Sequence, residues 1–293
     1  MKKVVIIGAG EIGQAIKRPI FKNAEEVVLW DKDPVKVSPQ KTLSDSMSGA
    51  EVIFFCVPSW AMRSALKSVE LYLNKKAIVV SLAKGLEVST GKTMAELLDE
   101  MFLPDQPRAV LAGPMLAEEI NLGLPSFGIL GSTQKDIFKR IRTLFLNTNL
   151  KIEYCADYRV VSASSVLKNI YALALGIGQG LGFGDNFKSV LVVQALSEIN
   201  TIGKFLAGDD FIFETKAGLG DFLATGYSHY SKNHEMGEEI VKTGRCSQKS
   251  EGLISLAPLL NRLGDKVSGL PLLQKLEKVF IDSESAKTVF GEI

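Results

Sequence analysis

Short runs of β-branched and apolar residues alternate with amphipathic stretches through the first half of the chain. Residues 4–7, Val-Val-Ile-Ile, are the first such run. Others follow at 26–30, 51–56, 77–82, 108–112 and 126–130. Each has the length and composition of a buried strand. Between them, residues 60–72, 92–101 and 135–146 carry apolar side chains at helical spacing. Strand–helix alternation with continuously apolar strands predicts a parallel sheet covered on both faces. Past residue 155 the pattern changes and no convincing strand appears from residue 157 onward. Residues 157–182 read as one long helix, with further helices over 188–207, 235–242, 248–263 and 271–280. The expected architecture is α/β plus all-α: a Rossmann-like parallel sheet over 1–155, then a helical domain over 156–293. The active site is expected in the cleft between them.

The first strand runs straight into Gly8-Ala9-Gly10-Glu11-Ile12-Gly13. Gly-x-Gly-x-x-Gly between a strand and a helix is the turn that receives a dinucleotide pyrophosphate. The first glycine makes the turn, the second admits the phosphates, and the third lets helix pack on strand. The helix start adds free N–H groups and the positive end of a dipole. The second strand ends in Asp31, near the ~20-residue offset of an acid that binds the adenosine ribose hydroxyls. Segments after the strands, Val57-Pro58-Ser59, Ala83-Lys84-Gly85 and Gly113-Pro114, are expected to join the glycine turn along one crevice.

Composition narrows the chemistry. A net charge of +1 gives no bulk attraction to nucleic acid or anionic membranes. No uninterrupted apolar run reaches the ~18 residues of a membrane span. The opening Met-Lys-Lys precedes a run that enters the glycine turn directly, so the first strand is read as part of the mature fold. Cys56, Cys155 and Cys246 lie far apart, which suits a reducing cytoplasm better than a disulfide framework or a zinc cluster. The chain has two histidines, neither in a metal-hydrolase or serine-triad setting. Acid–base work would then fall to lysine and carboxylate.

Lys168 leads the apolar stretch 170–177. It either snorkels to solvent or faces a polar cleft, where its pKa falls toward the range of a general acid and base. Asp221, in Gly218-Leu219-Gly220-Asp221, either caps a helix or sits where the backbone approaches a ligand. Ser231-Lys232-Asn233 suits a phosphate or an ordinary turn. Lys84 follows the fourth strand directly. The glycine-spaced segment Gly176–Gly180 suits close helix packing, within a subunit or across a homodimer.

Taken in order, these motifs resemble the NAD(P)-dependent glycerol-3-phosphate dehydrogenases. They are joined by Lys84-Gly85-Leu86-Glu87, Gly113-Pro114 with Ala117-Glu118-Glu119, Leu167-Lys168-Asn169, Gly180 to Asn186 and Glu251-Gly252. The resemblance runs to residue 252. It implies hydride transfer between a nicotinamide and C2 of glycerol 3-phosphate or dihydroxyacetone phosphate. It further implies Lys168 as acid/base with Lys84 as a second catalytic cation. Substrate positions are Lys84, Gly113, Asn169, Asp221, Thr225, Lys232 and Asn233. Cofactor positions are Gly8, Gly10, Glu11, Ile12, Gly13, Asp31, Val57, Pro58, Lys84, Ala117, Lys232 and Glu251.

Several positions depart from the family pattern. Lys232 stands where arginine is usual, offering a point charge in place of a fork. Met115 replaces a serine and is expected to remove a hydroxyl from the crevice. Gln194 replaces an arginine, and the segment between the second and third strands is short. Asp31-Lys32 after Trp30 favours NAD over NADP, because a carboxylate there repels a 2′-phosphate. Two other readings stand beside this one: a related β-hydroxyacid-type dehydrogenase acting on another small phosphorylated or carboxylated compound, and a non-catalytic dinucleotide sensor. Two costly cations, Lys84 and Lys168, argue against the sensor.

Overall fold

The computed structural model describes residues 1–291. The chain divides into two compact units, Met1–Ala83 with Met94–Ser162, and Lys84–Thr93 with Ala163–Ile293. The expected single boundary after residue 155 does not include the excursion of 84–93 into the helical unit.

The first unit contains β1 (Lys3–Ile7), α1 (Glu11–Phe21), β2 (Glu26–Trp30), α2 (Leu43–Met47), β3 (Val52–Phe55) and α3 (Ser59–Val69). It continues with β4 (Ile78–Ser81), α4 (Met94–Met101), β5 (Arg108–Ala112), α5 (Ala117–Leu122), β6 (Ser126–Gly131), α6 (Lys135–Thr143) and β7 (Leu150–Cys155). The seven strands lie in the order β2-β1-β3-β4-β5-β6-β7. Their side chains build the core from Val4, Ile6, Val52, Phe54, Ile78, Val80 and Leu111, packed on Ile16 and Ile20 of α1.

The sheet is not wholly parallel. β6 runs antiparallel to β5, and β7 then runs parallel to β6. The connection over residues 113–125 is close to the lower limit of the dozen or so residues that a parallel crossover needs, usually built around a helix. Here α5 has only six residues. Gly113, at φ +140°, turns the chain back so tightly that a Cβ there would stand 2.5 Å from the Phe127 carbonyl oxygen. Strand β7 escapes the sequence pattern because Leu150-Lys151-Ile152-Glu153 alternates buried and exposed, as an edge strand does. The residue after Gly113-Pro114 also departs from expectation. Met115 is buried in the sheet core, its Sδ 2.9 Å from where a Gly128 Cβ would lie, so it adds apolar packing and is not part of an open crevice.

The second unit holds most of α7 (Tyr158–Gly180), then α8 (Asp185–Ala207), α9 (Asp221–Tyr227), α10 (Lys232–Thr243), α11 (Glu251–Leu263), α12 (Pro271–Phe280) and α13 (Ala286–Gly291). Helices α7 and α8 are each long and apolar enough to cross a membrane, at 23 residues with mean hydropathy 1.5 and 1.3. The apolar window of α7 is 94% buried within the protein, the situation of a core helix. Its glycines are used inside the chain: a Cβ on Gly176 would stand 2.1 Å from the His234 carbonyl oxygen, and one on Gly180 would meet Val241 at 3.0 Å. Both neighbours belong to α10, so this face serves a close helix crossing within the subunit. Buried Glu198 of α8 accepts from the Leu272 and Leu273 N–H groups at 2.6 and 2.9 Å and from the Tyr171 hydroxyl at 2.8 Å. It therefore caps α12, whose own N-cap, Leu270, has no side chain to do so.

Candidate active site

Two constellations carry chemistry, one in each unit. In the sheet unit, the loops after β1, β2 and β3 meet where the strand order reverses, the place at which such sheets bind ligands. The Gly8 N–H donates to the Trp30 carbonyl at 2.8 Å, and Gly8 adopts φ +103°, open to glycine alone at little cost. A Cβ on Gly13 would stand 1.9 Å from the Gly8 carbonyl oxygen, so this helix start packs on the turn only as glycine. A Cβ on Gly10 would meet nothing within 4 Å. The space before α1 is open, Gly10 brings no capping side chain, and the first N–H groups of the helix point into that space. Asp31 is buried and braces the loop: its carboxylate accepts from the Ala9 N–H at 2.8 Å and the Asp33 N–H at 2.9 Å. The Lys36 ammonium lies 3.9 Å from the same carboxylate. Glu11 and Pro58 are exposed, Ile12 and Val57 half-buried, and Ala117 buried at the start of α5. An open helix start beside a fixed acid fits a dinucleotide.

In the helical unit, Lys168 does not snorkel. It is 4% exposed in the middle of α7. Its Nζ lies 3.2 Å from Asp221 Oδ1 and donates to the Thr225 hydroxyl, which in turn donates to Asp221 Oδ1 at 3.4 Å. Lys84 Nζ donates to the other oxygen, Asp221 Oδ2, at 2.8 Å. One carboxylate, itself 1% exposed, thus holds two ammonium groups. Local sequence explains its place. Thr215 accepts from the Gly218 N–H at 3.1 Å and starts a π-helical turn over Lys216–Gly220. That turn delivers Asp221 as the first residue of α9, with Thr225 one helical turn later on the same face.

The Lys168 ammonium is pushed down to about pKa 8. Burial is the largest cause, Asp221 opposes it, Lys84 adds to the fall, and Glu251 opposes it. Glu251 begins α11, partly buried, behind a Ser250 cap. Ser231 caps α10 by accepting from the His234 N–H at 3.3 Å, which makes it part of the helix start. Lys232 is exposed, whereas Asn233 and Asn169 are buried and hydrogen-bonded to one another at 2.9 Å. The structure therefore gathers Lys84, Lys168, Asn169, Asp221, Thr225, Asn233 and Glu251 in one unit. Gln194, on α8, is half-buried. Sequence reasoning missed the amide line through Asn169 and Asn233, because nothing local marks two asparagines as partners.

The comparisons agree over most of the chain. Residues 32–137 match the family model described as NAD-dependent glycerol-3-phosphate dehydrogenase N-terminus, and 157–291 match the C-terminus model of the same description. A glycerol-3-phosphate dehydrogenase [NAD(P)+] of Clostridium perfringens is 30% identical over 87% of this chain and 84% of its own length. One of Fusobacterium nucleatum is 27% identical over 100% of this chain and 96% of its own. Solved glycerol-3-phosphate dehydrogenases of Plasmodium falciparum and Coxiella burnetii share the fold, each with a TM-score of 0.86 at 21% identity over 99% of this chain, covering 94% and 98% of their own lengths.

Proposed function

Because the chain belongs to the NAD(P)-dependent glycerol-3-phosphate dehydrogenase family, we propose that it interconverts sn-glycerol 3-phosphate and dihydroxyacetone phosphate with Lys168 as general acid and base. The observation that carries this reading is the buried Lys168 sharing Asp221 with Lys84. Bound nicotinamide supplies or accepts the hydride at C2. In the reducing direction the C2 oxygen gains negative charge, and the Lys168 ammonium stabilises it and delivers a proton from Nζ. In the oxidising direction the neutral amine takes the alcohol proton. A pKa of about 8 keeps both forms accessible near neutrality. Asp221 holds the ammonium in place, Thr225 fixes its direction, and Lys84 lowers its affinity for the proton. Lys232, exposed at the first position of α10, is the proposed contact for the substrate phosphate, with Gly113 also assigned to the substrate side. Val57, Pro58, Ala117 and Glu251 complete the proposed cofactor set.

Asp31 supports NAD as the preferred cofactor. Its carboxylate is fixed by two N–H groups and cannot swing away from a 2′-phosphate without releasing the glycine loop. Lysines 32 and 36 temper the repulsion without removing it. Oxidation of NADH by dihydroxyacetone phosphate is therefore expected to be fast, to need the phosphate when compared with dihydroxyacetone, and to exceed NADPH by about tenfold in kcat/KM, equivalent to ~1.4 kcal/mol. Absence of phosphate-dependent turnover contradicts the substrate reading. Equal efficiency with both cofactors contradicts the role given to Asp31.

A further inference from the structure

Asn233 commits both ends of its amide to one buried line of hydrogen bonds. The Gly252 N–H donates to Asn233 Oδ1 at 2.8 Å, Asn233 Nδ2 donates to Asn169 Oδ1 at 2.9 Å, and Asn169 Nδ2 donates to the Lys84 carbonyl at 2.7 Å. The direction of the line is forced. A backbone N–H at one end only donates and a backbone carbonyl at the other only accepts, so the orientation of both side-chain amides between them is fixed. Gly252 makes the first link possible: a Cβ there would stand 2.2 Å from the Asn169 carbonyl oxygen and 2.8 Å from Asn233 Oδ1.

The line ends on the residue whose side chain pairs with Asp221. The rest of the 84–93 segment is held in the same unit, by the Leu86 N–H donating to Ser255 Oγ at 2.9 Å and Arg262 donating to the Gly91 carbonyl at 3.0 Å. We infer that Asn233 is a positioning residue that acts through Asn169 to fix the Lys84 backbone, and with it the Lys84–Asp221–Lys168 cluster. Losing the line lets the Lys84 ammonium drift from Asp221, which weakens its downward push on Lys168.

The inference rests on the dehydrogenase reading above, and its test separates the two. Wild type, Asn233→Ala, Lys84→Ala and the double variant are assayed with dihydroxyacetone phosphate and with dihydroxyacetone, across pH. Asn233→Ala is expected to lose about tenfold or more in kcat/KM with both substrates alike. Its fall in rate at alkaline pH is expected to move upward, and the double variant is expected to be no worse than Lys84→Ala. A loss confined to the phosphorylated substrate, or losses that multiply in the double variant, overturns the inference while leaving the dehydrogenase reading intact. Wild-type protein without phosphate-dependent turnover overturns both. Asn169→Ser breaks the same line one link later and gives the same readings if Asn233→Ala does not fold.

Discussion

Lys168→Ala is expected to lose about 10³-fold or more in kcat while still binding NADH. General acid–base catalysis contributes on the order of 10²–10⁴-fold, and this side chain also stabilises the developing charge on oxygen. Neither role has an obvious substitute. Lys84 is a neighbouring cation, but its Nζ is bound to Asp221 Oδ2. Cofactor binding should survive, because the open helix start, Gly8, Gly13 and Asp31 belong to the other unit and draw nothing from Lys168. Fluorescence titration with NADH, set beside steady-state turnover, reads both quantities. Wild-type turnover in this variant removes the proposed role.

The second large effect is at Asp221, where activity and stability fall together. Asp221→Ala takes away the carboxylate that two ammonium groups share. Breaking a buried ion pair by removing one partner costs roughly 3–5 kcal/mol, because charge is left in a poorly solvated place. The variant should therefore unfold at markedly lower urea concentration, and kcat should fall by about 10²-fold or more as Lys168 loses its anchor. Lys168 also loses its largest source of upward pull, so whatever activity remains should decline at a lower pH than in wild type. Asp221→Asn keeps the shape and removes only the charge. It should retain more stability than alanine and show the same direction of pH shift. Unchanged unfolding in Asp221→Ala would show that the pairing carries little of the site's energy.

How much of this was legible in the sequence depended on whether the cause was local. The glycine turn was legible because each glycine answers a constraint within a few residues. Gly8 needs φ +103°, and Gly13 must clear the Gly8 carbonyl. Asp31 was legible from its spacing, although its bond to the Ala9 N–H was not. The fate of Lys168 was not decided by its own helix, whose apolar continuation suits a snorkelling lysine equally well. It was decided by Asp221, which also binds Lys84 from 137 positions away. Family resemblance assigned all three residues to the site, but their pairing had no mark in the sequence.

The misses have the same origin. The β5–β6 reversal follows from a short α5 and a tight Gly113 turn, while the apolar strands themselves read the same in either direction. Edge strand β7 was hidden by its alternating lysine and glutamate. Met115 belongs to the sheet core because Gly128 opposite leaves room for its sulfur, a fit between a loop and a strand that neither segment announces. Glu198 sits in an apolar helix without a motif, yet it caps a helix more than seventy positions later in the chain.

The central claim is that a buried lysine, held by Asp221 and pressed by Lys84, supplies the proton. The pH dependence of kcat for dihydroxyacetone phosphate reduction tests it most directly, measured in wild type and in Lys84→Ala. A protonated Lys168 is the active form in this direction, so the rate should hold below its pKa and fall as pH rises through about 8. Removing Lys84 removes a neighbouring positive charge, so the fall should move to higher pH. A wild-type rate that stays level from pH 6 to about pH 10, or a fall that Lys84→Ala leaves in place, would contradict the account.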